Sequence, residues 1–201
     1  MISANHKKIA LKIALSIALI VAAAAILDYP WISANLKFLL SQKLNPAPTA
    51  QKNSAALKGQ PNQLQIPSLK ITAPVVYVDQ ANETAFQAGL KNGVVHYPGT
   101  ALPGQIGNVY IFGHSSDYIW SNGHYKTVFA VLPRIKIGAE IDLSDSSGHI
   151  YSYVTTGSAI ASPTELKYLS QDTAGKKELT LQTSYPVGTA LKRFLVFAEM
   201  K

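Results

Sequence analysis

The 201-residue chain contains no cysteine. That absence excludes disulfides, cysteine-ligated zinc and any thiol nucleophile. A domain outside the cell can do without disulfides when its core is large enough, and 47% hydrophobic content over this length allows one sizeable core. Metal chemistry is poorly supplied, because the five histidines show no tight spacing to one another or to carboxylates. No metal and no cofactor is expected. Arginine is scarce as well: Arg134 and Arg193 are the only two in a lysine-dominated chain. No internal repeat is present.

Net charge is +7, but it is unevenly placed. Residues 1–60 hold seven Lys and one Asp, whereas residues 61–201 hold eleven Lys plus Arg against ten Asp plus Glu. The nearly neutral C-terminal part lacks the basic face that phosphates require, so no nucleic-acid partner is expected. The N-terminal lysines instead orient a membrane span or touch anionic lipid.

What the N-terminus does have is a long apolar run. Ile9 to Leu27 contains a single charge, Lys12, in nineteen residues. That length suits one transmembrane helix of about 20 residues. Tyr29 and Trp31 fit an interfacial aromatic belt. Lys7 and Lys8 favour an inside N-terminus, partly balanced by Lys37 and Lys43 beyond the span. Ala22 to Ala25 offers the alternative of a cleaved signal peptide, against which the run's length argues. The expected organisation is a cytoplasmic tail at 1–8, a signal-anchor at 9–27, a juxtamembrane helix and linker at 28–63, and an extracellular domain at 64–201, giving a single-pass protein of the cell membrane.

From Leu64 onward, short β-prone runs recur between Gly and Pro: Leu64 to Ile71, Val75 to Val78, Asn108 to Phe112, Glu140 to Ser144 and His149 to Thr156. Short helices are predicted near Thr84 to Leu90 and, after Pro163, at Thr164 to Leu169. Many short strands with few helices imply an all-β barrel or sandwich. The last pair of runs, Leu179 to Ser184 and Ala190 to Ala198, reads as a hairpin around Pro186 to Thr189. With a four-residue turn, Ser184 pairs with Leu191 and Gln182 with Arg193. Alternation then puts Gln182, Ser184 and Arg193 on one face.

The segment LTLQTSYPVGTALKRFLVFA, Leu179 to Ala198, resembles the C-terminal signature of sortases, in which a TLxTC-type strand ends in the nucleophile and an Arg follows on the next strand. The resemblance extends to IPSLKITAPV at Ile66 to Val75, GVVHYPGTALPGQIGNVYIFGH at Gly93 to His114, and GAEIDL at Gly138 to Leu143. It covers roughly residues 64–201 and implies an eight-stranded β-barrel, here preceded by the N-terminal transmembrane helix. It also implies bacterial transpeptidase chemistry. A C-terminal sorting signal, LPxTG-like, is cleaved from a surface protein, and the acyl product is transferred to an amine on a cell-wall or pilin acceptor.

The resemblance assigns catalytic positions to His114, Ser184 and Arg193, with Ser184 at the family's Cys position. It makes His114 the general acid that protonates the leaving amine. Arg193 becomes the donor that holds substrate or steadies the oxyanion. A serine hydroxyl is not drawn into an ion pair by an adjacent His as a thiol is; it needs a well-placed base, usually oriented by a third group. Asp117 is the nearest such group in sequence. His96 reads as structural and Arg134 as a solvated charge, and the aromatic-rich loop Ser115 to Lys126 could border the cleft. A weakly active or inactive sortase is therefore expected, with two alternatives: a non-catalytic module that binds sorting peptides, or a serine acyltransferase or hydrolase on the same fold.

Overall fold

The computed structural model describes residues 9, 11–20, 32–40, 59–117 and 123–201. Eight strands form a closed barrel in the order β1-β2-β3-β4-β7-β8-β6-β5, with β5 pairing back onto β1. They are β1 Gln63–Ile66, β2 Ile71–Tyr77, β3 Val94–His96, β4 Gly107–Phe112, β5 Glu140–Ser144, β6 Ile150–Ala161, β7 Lys177–Tyr185 and β8 Lys192–Met200. Pairings are antiparallel except β2 with β3 and β4 with β7. Closure leaves no unpaired edge, as the expected barrel requires.

The two-residue period of the strands fills the interior. Val109 and Ile111 of β4, Leu179 and Leu181 of β7, and Val196 and Ala198 of β8 meet Leu64, Ile141, Leu143 and Tyr153 in one core. The opposite face of the same strands is also partly covered. There Tyr110, Leu195 and Ala161 are buried beneath Tyr97, Tyr168, Leu169 and Phe197.

Two local expectations are corrected and one is met. The run Leu64 to Ile71 is not one strand, because Pro67 opens a 3-10 turn, Pro67–Leu69, and Lys70 takes a left-handed conformation (φ 55°) that folds Ile71 back onto Ile66. The helix after Asn82 runs Glu83–Leu90, capped by the Asn82 side chain, which accepts from the Ala85 N–H at 2.9 Å. Thr164 to Leu169 yields only the 3-10 segment Leu166–Leu169.

Residues 11–20 are helical, while 1–8 and 21–31 lie outside the described residues. Among the described residues no helix is long and apolar enough to cross a membrane. Residues 32–40 form a helix that buries Asn35 and Phe38. Arg134 is exposed, as expected of a solvated charge, and its guanidinium also lies 5.4 Å from the Phe38 ring centroid, a cation–π contact. Of the expected linker, 41–58 lies outside the described residues, and its end is fastened to the β5–β6 turn by Gly59 N–H donating to Gly148 O and Asn62 N–H to Asp145 O.

His96 has the structural setting read from the sequence. It is 5% exposed, its Nε2 lies 2.9 Å from the Ala101 carbonyl as a donor would, and its ring packs on Tyr77. Burial holds its pKa below the ordinary 6.5, opposed by the Ala101 hydrogen bond. The unfolded chain therefore binds more protons just below pH 6.5, and stability is lost as pH falls through that value toward the folded pKa. Urea midpoints should drop between pH 7.5 and 5.5, and His96→Phe should shrink that drop whatever it does to the midpoint at pH 7.5.

Candidate active site

The β7–β8 hairpin sets the centre of the site. Its turn forms where the sequence predicts, with Thr189 N–H donating to Pro186 O at 3.0 Å and Gly188 at φ 88°. The register nevertheless differs, because Tyr185 pairs with Lys192 and Ser184 with Arg193, leaving Ala190 and Leu191 in the loop. The slip is two residues, so the predicted common face of Gln182, Ser184 and Arg193 is retained. Arg193 stands directly across from Ser184, and Gln182 faces Leu195. Side chains so paired have Cβ atoms about 5 Å apart. Arg193 Nη1 donates to Ala190 O and Lys192 O, both at 3.1 Å, which fixes the guanidinium over the two extra loop residues.

His114 reaches the same level from β4. The parallel ladder pairs Phe112 with Gln182, and beyond it Gly113 N–H donates to Gln182 O at 3.1 Å. Thr183, 1% exposed, turns its hydroxyl to the Gly113 carbonyl at 2.8 Å. His114 is thereby carried level with Ser184, and its own carbonyl accepts from Phe129 N–H at 2.9 Å. Gly113 is required by packing: a Cβ there would lie 2.8 Å from Phe129 Cδ2 and 3.0 Å from Val94 Cγ1. Gly113→Ala should cost about 1–3 kcal/mol in a denaturation experiment, the usual range for overpacking.

Burial pushes the His114 pKa below 6.5, and the Asp117 charge opposes that shift. The neutral imidazole therefore dominates at neutral pH, which is the base form of the ring. Among the described residues neither the ring nor the Ser184 hydroxyl makes a hydrogen bond, an open arrangement compatible with tightening on substrate. No cluster of three or more His, Asp or Glu side chains suited to a metal occurs among the described residues.

A cleft of about 390 Å³ runs over these groups. Its floor is the outward face of four strands: Tyr110 and Phe112, Gln182 and Ser184, Arg193 and Leu195, and Ala161. The helix Glu83–Leu90 supplies one wall through Phe86 and Gln87, and Pro163 to Leu169 the other. All three predicted site residues, His114, Ser184 and Arg193, line it. Of the aromatic-rich loop, Tyr118 and Trp120 lie outside the described residues, and His124 lines a different pocket, beside Phe38 and Lys70. Ser116 Oγ accepts from Gly188 N–H at 3.0 Å, tying the loop after His114 to the hairpin loop. Sequence reasoning missed Tyr110, whose hydroxyl donates to Gln182 Oε1 at 2.6 Å. Its signal was its parity, opposite to that of Val109 and Ile111.

The sortase-domain family model matches residues 64–201. The chain belongs to the sortase family. It is 28% identical over 156 residues to Sortase D of Bacillus subtilis (strain 168), across 74% of this chain and 69% of that protein. Among solved structures, sortase E from Streptomyces avermitilis is 27% identical with a TM-score of 0.53, covering 72% of this chain and 90% of that one. Sortase C1 from Streptococcus suis has a TM-score of 0.59 at 20% identity, covering 83% of this chain and 79% of that one. In this sortase no thiol exists anywhere in the chain, and the β7 residue that faces Arg193 is Ser184.

Proposed function

We propose that this sortase holds an LPxTG-like sorting peptide in the cleft and, with Ser184 at the family's Cys position, transfers its acyl group slowly or not at all. The observation that carries the reading is the juxtaposition of Ser184 directly opposite Arg193, with His114 brought level from β4, in one cleft. In the chemistry this arrangement supports, His114 takes the Ser184 proton as Oγ attacks the scissile carbonyl, and Arg193 donates to the oxyanion. Collapse returns the proton from His114 to the leaving amine, and an acceptor amine then releases the Ser184 ester. A serine hydroxyl makes the first step slow, because it stays protonated until the moment of attack. The Asp117 charge favours the imidazolium that forms, yet the neutral resting state of His114 gives no standing ion pair.

The substrate would come from surface proteins bearing a sorting signal, and the acceptor would be a cell-wall or pilin amine. An anchored domain outside the cell suits such partners, and the apolar run Ile9 to Leu27 with its preceding lysines supports that placement. The test offers a fluorescent LPxTG peptide and a glycyl amine to the chain and to Ser184→Cys. Binding by both, with rapid turnover only by Ser184→Cys, is expected. Rapid turnover by the unaltered chain refutes the slow-transfer reading, and failure of both proteins to bind the peptide refutes the substrate.

A further inference from the structure

Below Ser184 the cleft floor carries Gln182 among Tyr110, Phe112, Leu195 and Ala161. Gln182 lies two residues back on the same face, about 7 Å away at the usual strand rise. Its row is otherwise Phe112 and Leu195, with the Phe86 ring set edge-on against Phe112. The Gln182 side chain has a fixed orientation. Tyr110, 4% exposed and packed edge-on against Tyr97, donates its hydroxyl to Gln182 Oε1 at 2.6 Å. With Oε1 taken, the amide NH2 is the part left to face the cleft, and no protein acceptor engages it among the described residues.

We propose that Gln182, oriented by Tyr110, is a specificity determinant that selects a sorting peptide carrying a side-chain carbonyl acceptor, such as Asn, in the half retained as the acyl group. The inference rests on the sorting-peptide reading above. The leaving half must be protonated by His114 and then make way for the acceptor amine, so it takes the end of the cleft beside the β7–β8 loop, where Ala190 lines it. The acyl half lies over Gln182 and Leu195, between the helix Glu83–Leu90 and the 3-10 segment Leu166–Leu169. A donor fixed in an apolar floor loses its water when substrate binds, and it penalises any peptide that offers it only methyl groups. Two donors on a neutral amide also distinguish this floor from one selecting by charge.

The test measures Kd for LPxTG-like peptides in which each residue upstream of the scissile bond is in turn Asn or its near-isostere Leu, using the unaltered full chain. One position should prefer Asn by about tenfold or more. Gln182→Leu should abolish or reverse that preference while still binding the Leu peptide, which also shows that the variant is folded. Tyr110→Phe, which frees the amide to rotate, should weaken the preference without abolishing binding. Peptides that bind with no position separating Asn from Leu overturn the inference alone. So does a preference that survives in Gln182→Leu, or loss of the Leu peptide from that variant. If no peptide binds the unaltered chain or Ser184→Cys, the sorting-peptide reading falls and takes this inference with it.

Discussion

With Ser184→Cys, ligation of a sorting peptide to an amine should run on the order of 10²–10⁴ times faster than with the unaltered chain, the range that a matched proton transfer commands. A free thiol has a pKa of about 8.5 and already ionises slightly at neutral pH. Beside a neutral imidazole it can pass its proton across before substrate arrives, and the thiolate that results is the nucleophile. In the proposed chemistry Ser184 has no such option, and His114 removes the proton during the attack itself. The pH profiles should therefore differ. Residual serine activity requires neutral His114, and burial places that pKa below 6.5, so the serine rate should hold down to about pH 6.5 and decline only below it. The cysteine rate depends on the shared proton of a thiol and imidazole pair and should report two coupled titrations. Quantifying the ligated product by mass spectrometry from pH 5 to 9 checks both statements. Equal rates for the two proteins, or identical profiles, would remove Ser184 from the chemistry.

Much of the candidate site's geometry was legible because strand parity tolerates some errors. A four-residue turn at Pro186 to Thr189 gave the wrong partner for Ser184, yet the true register differs by two residues, and an even slip leaves every side chain on its face. Whether Ala190 and Leu191 belong to strand or loop depends on the β7–β8 register, which β-propensity does not carry. The level of His114 was hidden for a related reason. It depends on a parallel pairing between segments 70 residues apart, sealed by Thr183 and the Gly113 carbonyl. β3 escaped notice because three residues are too few to display a period. Arg134 is exposed as read, but its contact with Phe38 was hidden because that ring belongs to a helix nearly a hundred residues earlier in the chain. Tyr110 was masked by its apolar neighbours, since a run such as Val109-Tyr110-Ile111-Phe112 looks like uniform core until a covering layer and a cleft give its two faces different tasks.

Arg193→Ala in the Ser184→Cys variant should lower kcat by about 10²–10³, the cost of deleting one oxyanion donor, with a much smaller change in KM. Arg193→Lys should fall nearly as far, and this distinguishes geometry from charge. A guanidinium has five N–H donors in a rigid plane. Both hydrogen bonds to the backbone, to Ala190 O in the loop and Lys192 O at the start of β8, come from Nη1, so the fork is held while Nε and Nη2 remain for the cleft. An ammonium has three donors on a flexible stem and cannot cap two backbone carbonyls while presenting an in-plane pair across from residue 184. If Lys retains most of the activity, Arg193 acts as a point charge. If Ala retains it, Arg193 is a loop brace and the oxyanion must be held elsewhere. A loss in KM with kcat unchanged would move Arg193 from the transition state to ground-state peptide binding, because only an interaction stronger at the tetrahedral intermediate than at the bound carbonyl raises kcat.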